Sequence, residues 1–147
     1  MNDIWQALCE ADGLDPQQRL AARQAILADP AALDCSLYRA DETDEEAEEE
    51  DLGEARILFR GPFVAPAEWD VAACAAYYED ADPALFCTAL IECLAEPQSA
   101  AFFTPEVGDY VAVVTASGSV EMYYLHDWHE DDQGRCCVLI RDEVDLD

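Results

Sequence analysis

A chain of 147 residues is the size of one domain, and 52% hydrophobic with 10% aromatic residues is too apolar for a wholly disordered protein despite a formal net charge of −27. That charge disfavours nucleic acid and anionic membranes. It favours a basic protein partner, with an attraction that weakens as salt rises.

Lysine is absent, and the seven basic residues are Arg19, Arg23, Arg39, Arg56, Arg60, Arg135 and Arg141. GC-rich coding, which also fits the alanine content, is the simpler account, ahead of selection for a basic partner. Seven cysteines without paired spacing point to free buried thiols in a reducing compartment. The start MNDIWQALCEADG has no basic leader region and no apolar run is long enough to span a bilayer, so a cytoplasmic location is expected.

In chain order, Ile4, Trp5 and Leu8 recur at helical spacing before Gly13. Asp15-Pro16 with Gln18 is a helix start, and Leu20, Arg23, Gln24 and Leu27 continue its period to about Ala28. A turn or short helix from Asp29-Pro30 leads to a strand over 35–39.

Between Asp41 and Glu54 stand ten carboxylates and no basic residue, a density that favours extended, solvated chain, so 41–54 is expected as a disordered acidic loop. More than two-thirds of the 34 acids lie elsewhere, so the run strengthens a field that the whole surface carries.

After it, 55–60 reads as a strand ended by Gly61-Pro62. PAEWDVAACAAYYED (66–80) has a wide apolar arc and reads as a largely buried helix. Asp82-Pro83 opens a further predicted helix over 83–96, with Leu85, Phe86, Ala89, Leu90, Cys93 and Leu94 as its core face. The period then shifts to two. Residues 109–115 and 120–125 form a hairpin, and 136–140 is a third strand after the turn at 131–134.

The expected fold is therefore α+β in a single domain, with about four helices packed on a C-terminal antiparallel meander of three to four strands.

No catalytic signature emerges. The serines lie outside any nucleophile elbow, the six glycines make no phosphate cradle, and cysteines 74, 87 and 93 fall on apolar faces expected to be core. His126-x-x-His129 beside Asp127, Glu130, Asp131, Asp132, Cys136 and Cys137 is the densest set of potential ligands. It reads more simply as a polar hairpin loop, because adjacent strand cysteines point to opposite faces. No cofactor or metal is expected, and no enzymatic activity.

The candidate partner-binding residues are Asp44, Glu45, Glu46, Glu48, Glu49, Glu50 and Asp51 of the acidic run, with Glu121, Tyr123, Asp127, Trp128, Glu130, Asp131 and Asp132 of the C-terminal sheet. Aromatic rings among carboxylates suit a basic, arginine-rich partner, with charge steering the encounter and a few rings holding the complex. A covering helix over the outer sheet face is the simpler alternative.

In size, acidity, free cysteines and want of a catalytic motif the chain resembles small bacterial immunity proteins. The stretch GDYVAVVTASGSVEMYYLHD (108–127) is similar to the strand region of the immunity superfamily that includes yeast cell-wall regulators. That resemblance implies an inhibitor that neutralises a cognate toxin or enzyme, as a monomer, without direct nucleic-acid or membrane contact. Two other classes stay open. One is an acidic secretion chaperone or adaptor that dimerises through the apolar helix expected at 83–96, and the other is a DNA mimic built on the acidic run.

Overall fold

The computed structural model describes residues 3–11, 13–40, 49–79, 82–97, 99–131 and 133–141. It corrects the expected architecture. The chain forms a closed six-stranded antiparallel barrel with three short helices on its outside, not a helical layer on a meander.

Helices α1 (Asp3–Ala11) and α2 (Pro16–Ala28) precede strands β1 (Leu33–Arg39) and β2 (Glu50–Pro62). Helix α3 (Val71–Tyr78) and a 3₁₀ turn (Pro83–Leu85) lead to β3 (Phe86–Cys93). Strands β4 (Tyr110–Val114), β5 (Val120–Asp131) and β6 (Gly134–Arg141) complete the sheet in the order β1-β2-β3-β6-β5-β4, with β1 closing onto β4. The barrel is thus two three-stranded meanders joined along β3–β6 and β1–β4.

Alternation around the barrel explains the closure. Every strand sends apolar side chains inward: Cys35 and Leu37, Ala55 and Ile57, Ala89 and Ile91, Val111 and Val113, Tyr123 and Leu125, Cys137 and Leu139. Such a ring buries one face of each strand without a second layer.

The predicted helix over 83–96 is mostly β3. This strand is covered on both sides, with Ala89, Ile91 and Cys93 inside and Phe86, Leu90 and Glu92 beneath the helices outside. A doubly buried strand is a continuous apolar run whose residues also satisfy helical spacing, so periodicity alone misassigns it. The Asp82-Pro83 start signal produces only the 3₁₀ turn, where Asp82 Oδ1 accepts from the Ala84 N–H at 2.9 Å. The apolar helix over 83–96 through which a chaperone could dimerise is therefore a barrel strand.

Three further expectations change. The strand at 55–60 begins at Glu50, so the last part of the acidic run is paired β-structure, while 41–48 lies outside the described residues. The region 126–131 belongs to β5 and is not a loop. Helix α3 has no buried residue, against the expectation of a largely buried helix, because only its Tyr77 and Tyr78 rings pack on the barrel.

Helix α2 also turns an unexpected face inward. Its buried residues are Arg19, Arg23 and Ile26. Asp15 caps it as expected, accepting from the Gln17 N–H at 2.9 Å.

The interior thiols make the barrel sensitive to alkali. Burial pushes the Cys35 thiol from 9.0 up to about 12, helped by Asp34 and opposed by Arg56. The unfolded thiol ionises first, so stability fully present below pH 9 is lost as pH rises towards 12. At pH 11 the loss from this group is about 2.5 kcal/mol. Urea midpoints of wild type and Cys35→Ala, taken with reductant at pH 8 and 11, should converge by about that amount, and parallel curves would refute the assignment.

Candidate protein-binding surface

The outer faces of β1, β4 and β5, reaching Ile140 on β6, carry a contiguous set of apolar side chains. Cross-strand pairing aligns Tyr38 with Tyr110, Tyr110 with Tyr124, and Tyr124 with Ile140 in one transverse row. Adjacent strands lie ~4.8 Å apart, so the three tyrosines span roughly 10 Å. The rings of Tyr110 and Tyr124 meet edge to face at 5.6 Å.

A second row pairs Met122 with Ala112. A third pairs Val114 with Val120, which are 43% and 58% exposed. Among the described residues the helices pack chiefly on β2, β3 and β6, and no helix packs broadly on this face.

Both ends of the tyrosine row are built. At the β6 end Ile140 pairs with Phe86, which is buried beneath α3. There Tyr78 and Tyr77 lie 4.8 Å and 6.4 Å from the Phe86 ring, Phe63 stacks on Tyr77 at 5.1 Å, and His126 meets Tyr77 at 4.7 Å. Tyr77 donates its hydroxyl to Asp127 at 3.1 Å. Burial first, then that carboxylate, pushes the phenol well above its usual range.

At the β1 end a bulge at Leu37/Tyr38 sets Asp51 opposite Tyr38. Leu52 packs on the core and Asp51 is exposed outside. Glu49, Glu50 and Asp51 are all exposed, so the described end of the acidic run is delivered to the edge of the tyrosine row. On β1, the Asp34 side chain is 79% exposed.

The structure distributes the expected binding residues differently from the linear reading. Asp44, Glu45, Glu46, Glu48 and Asp132 lie outside the described residues. Tyr123 is a core residue, 7% exposed, whose hydroxyl bonds Glu121 at 2.8 Å. Glu121 also holds Arg141 at 3.2 Å, at the opposite end of the barrel from Asp51. Trp128 packs against the core with Arg135 stacked over it at 3.7 Å. Glu130 is taken up by Arg19 at 2.8 Å and Arg135 at 3.2 Å. Asp131 lies 3.8 Å from His129.

The acidic–aromatic character therefore resides in Tyr38, Tyr110, Met122 and Tyr124 with Glu49 to Asp51 and Asp127. Alternation along β5 puts Val120, Met122 and Tyr124 on the face opposite the buried Tyr123 and Leu125. Bulges at Leu52 in β2 and His126 in β5 decide which carboxylates accompany that face, and nothing local in the sequence marks them.

Two internal sites are weaker candidates. Beneath α1 and α2 a cavity of about 30 Å³ is lined by Arg19, Glu92, Glu130 and Arg135 with Trp5 and Phe102, room for a water or two and far below a metabolite. An open groove of about 250 Å³ runs between α2 and the barrel over Ile26, Leu58 and Leu90, with Arg60 at its side. Among the described residues, no group of three or more histidines, cysteines and carboxylates is placed to hold a metal. His126 is packed among rings, and Cys136 and Cys137 point to opposite faces, Cys137 into the core.

The fold and surface together define a small, strongly acidic β-barrel with a tyrosine-rich face that no helix covers among the described residues. No family model matches the chain, and no curated protein or solved structure matches it either.

Proposed function

We propose that the chain is a protein-binding inhibitor of the immunity-protein kind, which neutralises a basic toxin or enzyme by covering it with the Tyr38–Tyr110–Tyr124 face. The observation that carries this reading is the contiguous apolar outer face of β1, β4 and β5, ending at the exposed acids Glu49 to Asp51. Exposed apolar patches rimmed by polar groups mark interaction sites. On a chain of net charge −27 the complementary surface is positive.

A second copy is a poor occupant, since two such chains repel, and a monomer is expected. Carboxylates steer the encounter and rings and methionine hold the complex, so the association rate falls with salt more than the dissociation rate rises.

A photo-crosslinker placed at Tyr124 in the source cell should capture a basic protein whose activity the purified chain abolishes. With that pair in hand, Met122→Arg should weaken binding by about 2 kcal/mol, roughly thirtyfold, at unchanged stability, because it sets a like charge against the basic partner. Crosslinking only from control positions such as Val64, or a captured protein left fully active at saturation, would refute the proposal.

A further inference from the structure

We infer that the tyrosine row recognises arginine side chains of its partner in preference to lysine. This inference rests on the reading of the β1–β4–β5 face as a docking surface. The first support is the state of the phenols. Tyr77 and Tyr123 spend their hydroxyls on Asp127 and Glu121. Tyr38, Tyr110 and Tyr124 bond to none of the described residues, and all three rings are half-exposed on neighbouring strands. They present ring faces and free hydroxyls together, next to Asp51.

The second support is charge. The cations nearest this face are already committed. Arg39 forks onto Asp109 at 2.8 and 2.9 Å, Arg56 bonds Ala32 and lies 3.9 Å from Asp34, and Arg141 holds Glu121. Glu50 faces Arg39 across the β1–β2 pairing, but Arg39 is already forked onto Asp109, and Glu49 and Asp51 form no ion pair with a described arginine, so a partner can supply their counter-ion.

A guanidinium suits this ground better than an ammonium. It is planar and weakly hydrated, so it lies flat on a phenol ring while its N–H fork reaches a carboxylate at the ring edge. An ammonium reaching the same ring keeps most of its water. The chain makes the same contact internally, with Arg135 over Trp128 at 3.7 Å and Arg19 over Trp5 at 5.3 Å, each arginine also holding a carboxylate.

The test uses the full chain at physiological ionic strength and two peptides of equal length and charge, one of arginine and alanine, the other of lysine and alanine. Titration calorimetry should show the arginine peptide bound about fivefold tighter or more. Replacing Tyr38, Tyr110 and Tyr124 together by leucine keeps apolar bulk but removes the rings, and should bring the two peptides level. Tyr124→Phe should keep the preference, and a single Tyr110→Leu should halve it if the triple variant does not fold. Equal affinity of the two peptides for wild type overturns the inference. The docking reading is judged separately by Met122→Arg, which sets a like charge against both peptides: if that variant weakens both peptides the face is still the binding surface, and if neither it nor the leucine variant changes either affinity, both proposals fall.

Discussion

Replacing Arg19 with methionine should cost about 3–5 kcal/mol, a fall of roughly 6–20 °C in thermal midpoint for a domain of this size. Arg19 is 4% exposed and projects from α2 onto the barrel, where it pairs with Glu92 and holds Glu130 at 2.8 Å. Glu92 is equally buried, at 4% exposure. Burial pushes its carboxyl above the ordinary range, and Arg19 is the chief group pulling it back.

Without the guanidinium, Glu92 loses its direct partner, keeping only the weaker field of Arg23, and uptake of a proton relieves the buried charge. A carboxyl raised in the folded state destabilises as pH climbs from the unfolded value through the folded one. The deficit of Arg19→Met should therefore shrink as pH is lowered into the range where Glu92 protonates. The double variant Arg19→Met, Glu92→Leu should recover most of the loss, because Glu130 keeps Arg135 at 3.2 Å and an apolar pair can replace a buried ion pair. Chemical denaturation of the three proteins across acidic to neutral pH decides the matter. A single-variant loss below about 1 kcal/mol would mean that water reaches Glu92 freely.

This arginine shows where sequence reading stops. Helix α2 was legible from its Asp15-Pro16 start and its length, but which face it buries was not. Leu20 and Leu27 have the period of a core stripe and remain only half-buried, while Arg19 and Arg23 go inside. A pattern of apolar and polar letters assumes that charges face water. That assumption fails when the acceptor is a strand carboxylate, Glu92, or strand-end carbonyls such as Cys93 and Ala95, each 2.9 Å from Arg23 Nη2.

The same blindness hid β3, whose buried carboxylate Glu92 lies outside the apolar core face expected of a helix over 83–96. The strands read at 35–39, 109–115 and 120–125, where apolar and polar residues alternate, and at 136–140, a short apolar run, fall within or around β1, β4, β5 and β6. Barrel closure was not legible, because β1 pairs with β4 across some seventy positions with no local mark. At the candidate surface, the association of acids with rings was foreseeable, yet the ring chosen on β5 was Tyr123. Its neighbour Tyr124 carries the outward face.

Gly134→Ala should be the second costly substitution, at about 2–4 kcal/mol. The sequence marks Gly134 as the end of the β5–β6 turn. In the fold it is also the place where α2 lands. Its φ of +135° lies where a side chain is strained whatever space surrounds it. A Cβ there would stand 3.0 Å from Ile26 Cδ1 and 3.4 Å from Leu90 Cδ2. Two causes therefore act together, and they are separable. The Ile26 contact is with the tip of a flexible side chain, so it can yield, whereas the backbone cannot adopt another φ without breaking the Asp131–Gly134 pairing.

A cycle with Ile26→Val tests the division. If backbone strain dominates, Gly134→Ala costs nearly the same in either background. If the clash dominates, shortening Ile26 removes most of the penalty, and the two substitutions couple by more than about 1 kcal/mol. The first outcome is expected, since relief by a small side-chain shift is cheap. A loss below about 1 kcal/mol in both backgrounds would show that the hairpin re-pairs around the new side chain and that α2 docks without needing the close approach at position 134.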